Sequence, residues 1–108
     1  MNDTVPQNLQ ACIDACLACL KACEACSTAC IDENMAACAK LCRDCADICN
    51  LCNRLMLRQS QFHPALCGIC ADICDACATE CEKHNSQHCK DCAAACRKCA
   101  EECRKMAA

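Results

Sequence analysis

Cysteine occupies 21 of the 108 positions, and its spacing is regular. Cys12, Cys16, Cys19, Cys23, Cys26 and Cys30 form one block, and Cys38, Cys42, Cys45, Cys49 and Cys52 a second. Cys67, Cys70, Cys74, Cys77 and Cys81 form a third, and Cys89, Cys92, Cys96, Cys99 and Cys103 a fourth. Within every block the steps alternate between three and four residues. Thiols at that separation are neighbours on a helix surface and can clasp one soft ion between them. Cysteine also serves as a small inert core residue. Leu or Ile on such stripes would stabilise a bundle better, so a whole set of such positions given to sulfur points to ligation.

The same regularity argues against catalysis. A thiol enzyme distinguishes one or a few cysteines by a lowered pKa and a substrate pocket, whereas these are equivalent by pattern. No Ser/His/Asp set, Gly-rich phosphate loop or isolated carboxylate pair suggests other turnover. Ferredoxin-type clusters use compact C-x-x-C-x-x-C loops followed by C-P, and neither occurs. Among thiophilic ions, charge decides. Copper(I) replaces one thiol proton with one positive charge and accepts two or three ligands, so a core loaded one-to-one stays neutral and holds roughly twenty ions. Zinc in four-thiolate sites would leave about ten negative charges buried among about twenty thiolates, with no Lys or Arg on the stripes to offset them. A zinc or cadmium buffer of metallothionein type and a thiol redox protein are the alternatives; copper(I) is the expected cargo.

Steps of three and four place each block on one stripe of an α-helix, at the a and d positions of a heptad. The residues between are rich in Ala, Leu, Lys, Glu and Arg, and no block contains Pro, so helix is favoured throughout. Four helices are expected near 6–32, 35–60, 64–84 and 86–106. Pro6 and Pro64 suit helix starts, and Asp32 to Asn34, Ser60 to Pro64 and His84 to Ser86 mark the breaks. Short connections make neighbours antiparallel, which predicts an all-α, up-down-up-down four-helix bundle over 1–108 with all cysteine stripes inward. Small flanking residues such as Ala15, Ala39, Ala71 and Ala93 permit close approach, while Leu41, Ile48, Leu55, Leu66 and Ile73 are expected to seal the seams.

Continuing the heptad past the cysteines distinguishes the two ends. One reaches Leu9, Met56, His63 and Met106, with Val5, Leu57, Phe62 and Leu66 nearby, and is expected to be an apolar plug in which Met56 and Met106 pack and His63 caps. The other reaches Met35, His84 and His88 beside Asp32, Glu33, Asn34, Asn85, Ser86 and Gln87. Imidazole and thioether are acceptable copper(I) ligands, so this polar end is the expected door, with Met35, His84 and His88 passing ions to Cys30, Cys38, Cys81 and Cys89. On the outside, Ile13, Leu17, Leu20 and Ile31 read as an apolar stripe on the first helix, which predicts a homo-oligomer.

A net charge of -3 with mixed signs and a single Phe as the only aromatic residue excludes a basic stripe or stacking platform for nucleic acid. The first ten residues lack a basic n-region and apolar h-region, and no run is long enough to span a bilayer, so no membrane association is expected. The default is then the reducing cytosol, where thiols remain free for metal.

The C-x-x-x-C-x-x-C ladders, the C-A-D-I-C runs at Cys45 to Cys49 and Cys70 to Cys74, the segment Lys83 to Cys89 and the ending Cys99 to Met106 resemble the four-helix-bundle copper storage proteins over nearly the whole chain. The resemblance implies a bacterial bundle binding many copper(I) ions through its inward cysteines, usually as a homotetramer. It implies that signal-less members stay cytosolic, whereas exported ones carry a twin-arginine leader. A copper chaperone is the donor such a store would be expected to have.

Overall fold

The structure, a computed structural model, describes residues 5–107. Residues 1–4 and 108 of the expected 1–108 domain lie outside the described residues. Four helices, α1 (Gln7–Asp32), α2 (Ala36–Leu57), α3 (His63–Cys81) and α4 (Gln87–Met106), account for the fold, with no strand among the described residues. Each helix packs against two others, in the ring α1–α2–α3–α4. The long axis of 42 Å is set by α1, since 26 residues at about 1.5 Å each span about 39 Å.

The breaks have local causes. After α1, Asn34 adopts φ 60, with Asn34 N–H on the Ile31 carbonyl at 3.3 Å and Met35 N–H on the Cys30 carbonyl at 2.8 Å. This pair of bonds closes the helix in a Schellman turn, and Asn tolerates the left-handed conformation it requires. The same device ends α2 at Gln59, φ 54, where Gln59 N–H meets the Met56 carbonyl and Ser60 N–H the Leu55 carbonyl. That is why α2 stops at Leu57 rather than near 60. Pro64 lies in the first turn of α3, where its missing N–H costs nothing. α3 ends at Cys81, and 82–86 form the connector to α4.

All 21 cysteines are buried and unpaired by disulfides. Leu41, Ile48 and Ile73 pack partly buried against them as expected of seam residues. Three expectations are corrected. Ile13 is buried within its own bundle rather than on an outer stripe, because it flanks the Cys12 and Cys16 stripe on the side turned toward a neighbour. Leu57 and Phe62 are exposed, Phe62 by 61 %, because they fall in or beside the α2–α3 connector and point off the stripe. The apolar plug is therefore thinner than the register suggests.

Candidate metal centre

The sulfur atoms form two antiparallel ladders. Between α1 and α4 the rungs are Cys12–Cys103 at 3.5 Å, Cys16–Cys99 at 3.4 Å, Cys19–Cys96 at 3.6 Å, Cys23–Cys92 at 3.5 Å and Cys26–Cys89 at 3.8 Å. Between α2 and α3 they are Cys38–Cys81 at 3.6 Å, Cys42–Cys77 at 3.7 Å, Cys45–Cys74 at 3.5 Å, Cys49–Cys70 at 3.8 Å and Cys52–Cys67 at 3.4 Å. As one strand of each ladder ascends the other descends, which is the antiparallel arrangement the short connectors require. Cys30 alone has no rung partner; its sulfur lies 3.8 Å from Cys26.

The ladders interlock through contacts such as Cys19–Cys45 at 3.7 Å, Cys42–Cys92 at 3.8 Å and Cys49–Cys99 at 3.9 Å. Quartets result, including Cys16, Cys70, Cys99 and Cys103, and Cys26, Cys38, Cys81 and Cys89, whose sulfurs all lie within 4.8 Å of one another. The second quartet draws one thiol from each helix. Such spacing alone does not choose the metal, because a tetrahedral ion with bonds of about 2.3 Å would also sit among sulfurs about 3.8 Å apart. Charge does: no cationic side chain is buried among the described residues, so the interior tolerates only an ion that each lost thiol proton can balance.

At the polar end the structure separates the three side chains that the register groups together. His88 Nδ1 lies 3.2 Å from Cys26 Sγ and 3.6 Å from Cys89 Sγ. Its Nε2 lies 2.9 Å from Glu33 Oε1, which also accepts from Ser86 Oγ at 3.2 Å. A proton held on Nε2 by this carboxylate leaves the Nδ1 lone pair facing sulfur, the tautomer a metal ligand needs. The His88 bond in turn keeps the Glu33 carboxyl below the usual carboxylate range. His84 is directed elsewhere: its Nε2 meets Glu80 Oε2 at 3.0 Å, and no sulfur is a partner of it among the described residues. Met35 is partly buried against the core and lines a cleft of ≈ 310 Å³ with Cys30, Asn34 and Lys40. Sequence reasoning missed Glu33 as the group orienting His88, and it missed that Cys30 is the unmatched thiol, although the count of six cysteines in the first block against five in each other block carried that signal.

Burial pushes the thiols at this end upward. Removal from water raises Cys26, Cys30 and Cys89, with Cys30 pushed up to about 12 and neighbouring Cys38 adding to the effect. These thiols are therefore protonated near neutrality, and an arriving cation must displace a proton at each.

An all-helical bundle whose interior is filled with unpaired thiols defines a class: proteins that hold soft monovalent metal in number. The chain belongs to the copper storage protein (Csp) family, whose pattern it matches over residues 5–108. It is similar to the Cu(I)-bound copper storage protein BsCsp3, with a TM-score of 0.90 and 49% identity over 94% of this chain and 100% of that one. The copper-free Csp3 from Bacillus subtilis has a TM-score of 0.89 and 52% identity over 93% of this chain and 99% of that one. Ccsp from Streptomyces lividans, in a structure loaded with 10 copper equivalents, has a TM-score of 0.87 and 33% identity over 93% and 83% of the two chains. Membership carries the function, storage of multiple copper(I) ions by cysteine thiolates. Among the described residues no helix is long and apolar enough to cross a membrane.

Proposed function

We propose that the chain is a single, non-catalytic, cytosolic storage domain that takes up roughly one copper(I) per cysteine, buffers excess copper and works as a homotetramer supplied by a copper chaperone. All 21 cysteines are assigned as ligands. The observation that carries this reading is the pair of continuous sulfur ladders, in which every rung is 3.4–3.8 Å long. Each ion can bridge a rung, and each thiolate can serve a second ion in the next. Uptake begins at the polar end, where His88 takes an ion at Nδ1 and passes it to Cys26 and Cys89. Met35 and the unmatched Cys30 line the cleft through which it arrives. His84 acts with them only after its ring turns toward the sulfur column.

Anaerobic titration with copper(I) against a competing chelator tests the reading. The expected result is uptake of about twenty equivalents, one proton released for each, and a thiolate-to-copper absorption that rises throughout. Saturation after a few ions, or preference for zinc, would overturn it.

A further inference from the structure

The α2/α3 ladder does not end with sulfur. Its five rungs keep a fixed register, Cys38 opposite Cys81 through to Cys52 opposite Cys67. One further step beyond Cys52–Cys67 brings Met56 opposite His63, each one helical turn past its cysteine on the same stripe. Met56 is fully buried. His63 lines an open cleft of ≈ 360 Å³ together with Pro6, Leu9 and Ser60, yet its Nδ1 is shut off from solvent and, among the described residues, has no hydrogen-bond partner. The end expected to be an inert plug thus contains a thioether and an imidazole in ladder register, with one ring nitrogen unused.

A buried nitrogen without a partner costs about 1–3 kcal/mol, so its retention calls for an account. Among the described residues the other buried side-chain polar atoms lacking partners are Oδ1 and Nδ2 of Asn53, and an amide suits copper(I) poorly. Neutral imidazole and thioether suit it well. We propose that Met56 and His63 form a sixth rung, a copper(I) site made of His63 Nδ1, Met56 Sδ and one thiolate of the adjoining Cys52–Cys67 pair. The thiolate supplies the charge balance: one S–H proton leaves to solvent as one copper(I) arrives, and the two neutral donors complete the coordination. His63 also borders the outer cleft, so this rung is the outermost of the α2/α3 column at that end.

This inference rests on the storage reading, and one experiment separates them. Protein labelled with ¹⁵N-histidine and ¹³C-methyl methionine is loaded anaerobically with copper(I) and followed by NMR and absorption. The expected result is a displaced Nδ1 resonance for His63 with Nε2 still protonated, together with a displaced Met56 methyl signal. In Met56→Leu the total uptake falls by no more than one ion, and one equivalent binds about tenfold or more weakly. Full development of thiolate-to-copper absorption with His63 and Met56 at their copper-free positions would overturn the sixth rung and leave the store intact. Absence of that absorption would overturn both.

Discussion

A histidine takes copper(I) through one ring nitrogen when the proton is kept on the other, and at the polar end only His88 also turns that free nitrogen toward sulfur among the described residues. Glu33 holds Nε2 at 2.9 Å while Nδ1 faces Cys26 at 3.2 Å. His88→Gln should therefore slow copper(I) uptake from a chelator complex about tenfold in stopped-flow absorption, a change of about 1.4 kcal/mol in the barrier. Glu33→Ala should weaken or slow it in the same direction, since removing the partner that orients a ligand histidine typically costs about tenfold or more. His84→Gln should leave the rate unchanged, because no sulfur lies beside the His84 ring among the described residues, its partner being Glu80; an equal loss in both histidine variants would show that connector structure, not ligation, governs uptake. The distinction was not legible in the sequence. Heptad counting treats His84, His88 and Met35 alike, whereas the difference arises from a contact with Glu33, 55 positions away, that no local pattern carries. The cysteines were legible because each stripe is periodic and every member faces inward for the same reason.

At the scale of elements, type and order could be read from the cysteine spacing, and the helix ends could not. The expected boundary of α2 near 60 and of α3 near 84 overran because helical propensity continues through both regions. Local backbone turns impose the stop, through Gln59 in a left-handed conformation at the first and the turn after Cys81 at the second. Asn34 fills the equivalent turn after α1 at little cost, but Gln59 does not have the short polar side chain that eases this conformation. A left-handed residue other than Gly costs about 1–2 kcal/mol, and the greater freedom of Gly in the unfolded chain takes back about 0.5–1 kcal/mol. Counting the backbone alone, Gln59→Gly should accordingly stabilise the metal-free bundle by about 0.5–1 kcal/mol in anaerobic urea unfolding, with an unchanged m-value. Destabilisation would mean that the Gln59 side chain contributes more than its backbone strain removes. Ion pairs tie α3 and the connector after it to α4 on the outside, Arg97 to Asp75 at 3.1 Å and to Glu82 at 2.8 Å, and Arg104 to Asp75 at 2.6 Å. All are exposed and contribute little individually.

For the whole molecule, the outer apolar surface of α1 is smaller than the sequence implies, since Ile13 is internal, but Leu17 and Ile31 remain 49 % and 58 % exposed. If the chain assembles through this face as proposed, Leu17→Glu with Ile31→Lys should reduce the mass in light scattering while leaving copper capacity per chain unchanged; unaltered mass would overturn assembly through this face. The thiols at the polar end also contribute a pH dependence of definite sign to the stability of the metal-free bundle. An acid whose folded pKa is raised binds its proton more tightly when folded. Its contribution is therefore complete below the unfolded value and lost as pH rises through the folded one. Cys26, Cys30 and Cys89 are raised from an ordinary value of 9.0, Cys30 to about 12. Between about pH 9 and 12 the unfolded chain ionises these thiols while the bundle resists, so these three thiols should lower the melting temperature of the metal-free protein across that window. A loss of even about 1 kcal/mol would lower the midpoint by about 4–8 °C in a domain of this size. Copper loading removes the same protons in advance and replaces them with bound charge, so the loaded protein should melt higher and show no such slope. Parallel circular-dichroism melts under anaerobic conditions measure both. A slope that persists after loading would mean that these three thiols keep their protons, and that the ladder rung at the polar end stays unoccupied when the rest of the column is full.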